Sequence, residues 1–149
     1  MPASVMLARR IKDAVIPATT GLMSAHPTGT TASPTLTTAT SGEGGAGTDG
    51  GAYVEIVAAS GITSEFRITS VVVSGFESAT RYTITVATGV TSSEVVIGTF
   101  CVTAGATTDT YVVPVSMANI PANTRVSMRS AVLTGNDQTC TVAINYVTV

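Results

Sequence analysis

The chain has 149 residues, seven basic and nine acidic side chains and a net charge of −2, enough for one domain with its own core and cramped for two. The balance lacks the clustered Lys and Arg that nucleic acid or an anionic membrane surface demands, and no apolar run reaches the roughly 18 residues needed to span a bilayer. Only 11% of residues are charged and 5% aromatic, with no tryptophan; the abundant Thr, Ala, Val, Ser and Gly favour extended chain over helix. A surface so poor in charge suits packing against other protein.

At the N-terminus, Leu7, Ile11 and Val15 recur every four residues between Arg9, Arg10, Lys12 and Asp13. The spacing predicts a short amphipathic helix over 4–16, with Ser4 as cap and Pro17 as stop. Three turns are marginal alone in water, so Leu7, Ile11 and Val15 are the candidate interface residues. The charges also break up any signal-peptide core. From 27 to 52 the chain is nearly all Gly, Ala, Ser, Thr and Pro, with Leu36, Glu43 and Asp49 as exceptions. It has too few apolar groups to offset its ordering entropy. Residues 1–52 are therefore expected to form an extended arm, ordered by neighbouring chains rather than by its own domain.

After residue 52 the pattern changes to period two. Candidate strands are 53–59; the run with Phe66, Ile68 and Val72 on one face; Tyr82, Ile84 and Val86; Val95, Ile97, Thr99 and Cys101; Tyr111, Val113 and Val115; Val126, Met128 and Val132; and Cys140, Val142, Ile144 and Tyr146. Seven alternating runs separated by breaks near 59–64, 75–78, 89–93 and 135–137 are the spacing of an all-β fold. The expectation is an antiparallel β-sandwich over 53–149, jelly-roll or Ig-like, preceded by the arm. Pro114 lacks an amide donor, which places its strand at an edge or a bulge.

Chemistry is hard to assemble from these residues. The single histidine, His26, lies in the low-complexity arm, without the orienting partner a catalytic imidazole needs. Cys101, Cys140 and His26 are too scattered for a zinc site. Both cysteines fall in apolar alternation and read as small core residues, with a disulfide as the alternative if their strands adjoin. Glu55, Glu65, Glu77, Glu94, Asp109 and Asp137 lie mostly at strand ends and turns, and no pair stands out. No calcium loop or phosphate loop is present. A non-catalytic module without cofactor or metal is the expectation. The polar loops 89–93 and 103–110 leave room for a sugar- or receptor-binding alternative, although sugar modules stack rings on exposed aromatics and Tyr82, Tyr111 and Tyr146 read as inward.

From Arg81 onward the chain runs R-Y-T-I-T-V-A-T-G, E-V-V-I-G-T-F, Y-V-V-P-V, I-P-A-N-T-R-V-S-M-R-S and C-T-V-A-I-N-Y. This resembles β-sandwich structural proteins of tailed-phage virions, in which a strand ends at an I-P-A-x-T-R turn and leads into an Arg-bearing strand. Here Pro121 sets the turn, Asn123 tolerates unusual backbone angles, and Arg125 and Arg129 share a face. The resemblance covers a little under half the chain and carries no motif before Tyr53. It implies a head decoration or minor capsid protein, made in the host cytoplasm and ending in the virion. Its partners would be other virion proteins and copies of itself in a homo-oligomer. A tail-fibre or carbohydrate/receptor-binding module is the alternative.

Overall fold

A computed structural model describes residues 24–27, 33–38, 51–132 and 137–149. The described residues form nine strands: β1 (Ser24–His26), β2 (Thr35–Thr37), β3 (Val54–Val57), β4 (Phe66–Ser74), β5 (Arg81–Thr88), β6 (Val95–Thr103), β7 (Tyr111–Pro114), β8 (Val126–Val132) and β9 (Thr139–Thr148). One sheet has the order β2-β9-β4-β7, with β1 beside β2 along β9; the other is β3-β8-β5-β6. The pairs β2–β9, β3–β8, β4–β7 and β5–β6 are all antiparallel. The chain is thus one long hairpin, β2 to β5 returning as β6 to β9, rolled into two facing sheets. That is the jelly-roll order, and it decides between the two expected sandwich topologies.

The core lies between the sheets. Tyr82, Ile84 and Val86 on β5, Val126 and Met128 on β8, and Cys140, Val142 and Ile144 on β9 are all at or below 1% exposure. The alternating residues on each strand point away, as the period-two pattern requires. All seven expected strands are present, and Pro114 does lie on an edge strand.

Two inward faces differ from the alternation read in the sequence. On β4, Ile68 pairs with Tyr146 and Ser70 with Asn145, leaving Thr69 as the extra residue of a β-bulge. The inward set therefore passes from Phe66 and Ile68 to Val71 and Val73, and Val72 turns outward, half-buried. On β6 the register shifts between Val86 and Ala87, with Ile97 as the extra residue. Gly98, Phe100 and Val102 take the inner side, and Cys101 is exposed rather than in the core. Each bulge shifts the pairing by one residue, which moves the following side chains to the other face.

The arm is corrected too. Ser24–His26 pairs with Tyr146, Asn145 and Ile144, and Thr35–Thr37 with Thr141, Cys140 and Thr139. His26 is therefore a strand residue. Leu36 is fully buried in the sandwich core. Thr38 and Gln138 exchange hydrogen bonds, amide to carbonyl and amide to hydroxyl, both 2.9 Å. The Gly51 amide reaches the Ser130 carbonyl at 3.0 Å, and its Cα lies so close to the Thr37 backbone that a Cβ would collide with it. These segments fold onto their own domain, because one leucine and the free hydrogen-bonding edge of β9 offset the ordering cost that composition alone leaves unmet. The helix expected over 4–16, with Leu7, Ile11 and Val15, lies outside the described residues.

Candidate functional site

The segments 58–65, 89–94 and 115–125 gather at one end of the sandwich, where three features adjoin.

The first is a polar clamp. Arg125 immediately precedes β8 and turns to the outer face of its sheet. Its Nε donates to Glu55 of β3 at 3.1 Å, and its Nη1 to Glu94 at 3.1 Å and to the Gly89 carbonyl at 3.2 Å. One guanidinium thereby ties the hairpin before β6 to the far edge strand β3. The fork of fixed donors on arginine makes this triple contact accessible to it and not to lysine. Arg129, four residues on and on the same face, lies with its guanidinium 4.9 Å from the Tyr53 ring centroid, a cation–π contact. The I-P-A-N-T-R turn that carries the sequence resemblance builds this corner. Ile120 is buried and exchanges backbone hydrogen bonds with Phe66. Asn123 sits at φ 59° with its amide on the Ile62 carbonyl.

The second is a cleft of about 290 Å³ lined by Thr88, Ile97, Ala118, Asn119, Ile120 and Pro121. Asn119 beside it donates to Glu65 at 2.7 Å. Met117 seals the inner side of β6 at Gly98, where the missing side chain leaves room for the methionine tip. The third is an apolar rim. Val90, Val95 and Val96 are 70%, 64% and 52% exposed, on and just before β6.

The carboxylates weighed for catalysis act as structural ties. Glu55 and Glu94 are held by Arg125, and Glu65 accepts from Asn119. Glu77 accepts from the amide and hydroxyl of Thr139. Asp109 accepts from the Gly105 and Ala106 amides at 2.7 and 2.9 Å, and these hold its carboxyl below the ordinary value of 3.8. Among the described residues no three His, Cys, Asp or Glu side chains group as metal ligands, and His26 pairs opposite Ile144 on β9.

Both thiols are free. Cys140 faces the core, and burial pushes it up to about 12, the nearby Ser130 hydroxyl opposing. Cys101 faces outward from the other sheet. Hydrogen bonds from Thr83 and then Arg81 lower its pKa. Of the three Phe and four Tyr of the chain, none is exposed. Phe76 packs 5.0 Å from Tyr82 and 5.9 Å from Tyr111, and Phe66 lies 5.7 Å from Tyr146.

The interface residues proposed from sequence, Leu7, Ile11 and Val15, are not among the described residues. The valine rim and the Arg125 clamp were not singled out as a site in the sequence. The run E-V-V-I at 94–97 was the available signal, apolar at both parities, as a strand with an exposed apolar side must be. No family model, curated protein or solved structure matches the chain.

Proposed function

We propose that the chain is a non-catalytic structural component of a phage virion, a head decoration or minor capsid protein that binds copies of itself and other virion proteins and is anchored through its N-terminal arm. The observation that carries this reading is the distribution of side chains. Large exposed apolar residues are all valines, three of them (Val90, Val95 and Val96) beside the β6 edge, whereas none of the seven aromatic rings is exposed. Protein partners cover such an edge by main-chain pairing and aliphatic contact. A sugar platform needs rings facing out, so the same distribution weighs against the carbohydrate alternative. The jelly roll hosts both capsid and lectin domains, and the fold by analogy is therefore compatible with either. The resemblance from Arg81 onward supports the virion side of that choice, because its Ile-Pro-Ala turn and Arg-bearing strand form the clamped corner described above.

The test is gradient purification of phage particles from cells carrying the gene, followed by quantitative mass spectrometry. The chain should co-sediment at a constant ratio to the major capsid protein through a salt wash. Recovery of the chain solely in the soluble lysate, with particles of normal composition, would overturn the proposal.

A further inference from the structure

The four kinds of sheet edge in the described residues are guarded unequally. β1 and β2 have three residues each, β3 has four and a register shift, and β7 has four and ends on Pro114. Shortness, a bulge and proline are the usual means by which an edge resists pairing with another chain. β6 has nine residues, Val95–Thr103, and beyond its one register shift at Ile97 the run Gly98–Thr103 pairs regularly and is longer than any other edge strand. It pairs with β5 on one side, and among the described residues no strand lies on its other side. It carries no charged residue and no proline, and the single lysine of the chain is Lys12. Val95 and Val96 on this strand are more than half exposed.

We propose that the free edge of β6 pairs with β6 of a second copy, antiparallel about a two-fold axis at Thr99, so that the four-stranded sheets of two molecules become one continuous sheet. This deepens the self-association in the function proposed above and rests on it. The second copy is the occupant because the edge complements itself in charge. A two-fold at Thr99 sets Thr99 opposite its own equivalent and Gly98 opposite Phe100, and no residue of the strand on either side of these pairs is charged. An edge bearing even one outward charge near the axis would meet the same charge on its copy. A two-fold pairing is isologous and closes at two copies, so the long apolar edge is consumed and does not propagate. The pairing would also cover Val95 and the rim of the cleft beside Ile97, the most exposed apolar surface at this end of the molecule.

The experiment is sedimentation velocity of the full chain over a concentration series, with hydrogen exchange across β6. The wild-type chain should reach the mass of two copies, with amides of residues 95–103 gaining protection as the dimer forms. Thr99→Lys sets two lysines face to face and should weaken the dimer by about tenfold or more. Val112→Lys, at a site of 61% exposure on the other sheet's edge, should leave it unchanged. Circular dichroism melts report whether each variant is folded. Should Thr99→Lys misfold, Thr99→Asp sets two carboxylates face to face and provides the same like-charge test. A monomer at every concentration, an open-ended aggregate, or equal weakening by Val112→Lys would overturn the pairing. A dimer that never enters particles would count against the virion reading and leave the pairing standing. A monomer recovered in particles would do the reverse.

Discussion

Arg125 and Glu94 face each other almost out of water, with side chains 12% and 9% exposed, whereas Glu55 on the other side of the guanidinium is 50% exposed. The two contacts of one arginine therefore differ in consequence. Removing the Glu55 carboxylate loses an exposed pair, for which about 0–1 kcal/mol is usual. Removing Arg125 strands the Glu94 carboxylate without its cation, and breaking such a buried pair costs about 3–5 kcal/mol. Urea denaturation of Arg125→Met should show the larger loss and Glu55→Gln the smaller, and Arg125→Met with Glu94→Leu should recover most of it. Equal losses from the two single variants would mean that the clamp does not depend on the buried contact. The thiols differ in the same way. Folding raises the Cys140 pKa from 9.0 to about 12, so between those values the unfolded chain releases a proton that the folded chain keeps. Stability from this group is complete below about 9 and falls as pH rises toward 12, by at most about 1.4 kcal/mol per pH unit. Cys140→Val should flatten the alkaline decline of the urea midpoint relative to wild type. In the native protein a thiol reagent should modify Cys101 and spare Cys140 until unfolding, and denatured, non-reduced protein should give two free thiols.

The strands of the sandwich were legible wherever alternation was clean. The main apolar parities of β5 (Tyr82, Ile84, Val86), β8 (Val126, Met128, Val132) and β9 (Cys140, Val142, Ile144) are buried in the structure. Pro114 announced its edge because a missing donor has the same meaning in any sheet. Legibility failed at the bulges. In I-T-S-V-V-V-S on β4 and E-V-V-I-G on β6, apolar residues occupy both parities, so no pattern marks where Thr69 and Ile97 leave the ladder. Val72 and Cys101 were assigned to the wrong face for that reason, and the exposed valines of β6 went unnoticed. The arm failed differently. Composition averages over 26 residues, and a single leucine with a sheet edge to pair against is enough to hold a three-residue strand. Leu36→Ala tests that point. A fully buried leucine truncated in a core costs about 2–5 kcal/mol, and the loss should appear in the melting transition of the whole sandwich. A change within about 0.5 kcal/mol, as for a surface site, would mean that β2 is not seated on β9 in solution. The same observation moves the point at which the arm can be cut. Removal of residues 1–22 leaves β1, β2 and Leu36 in place, whereas removal of 1–52 strips β9 of β1 and β2 and uncovers the core at Leu36.

At the scale of the whole molecule, the described residues form a rolled hairpin with no exposed aromatic ring and with Val90, Val95 and Val96 exposed beside one long edge strand. Its charges are few, and those at the clamped end are spent on internal ties. Two attachments are proposed: an N-terminal arm that would reach neighbouring virion proteins through Leu7, Ile11 and Val15, and a β6 edge that would meet a second copy. Arm and body make separable claims, since the body carries the core and the arm residues 1–22 precede every described strand. The most direct measurement is therefore a competition, with full-length chain and chain lacking residues 1–22 co-expressed during phage growth and both quantified by mass spectrometry in gradient-purified particles. The account predicts full-length chain at constant copy number and truncated chain left behind in the lysate, folded and with an unchanged melting transition. Equal incorporation of both chains would contradict anchoring by the arm, and particles containing neither would contradict the virion assignment itself.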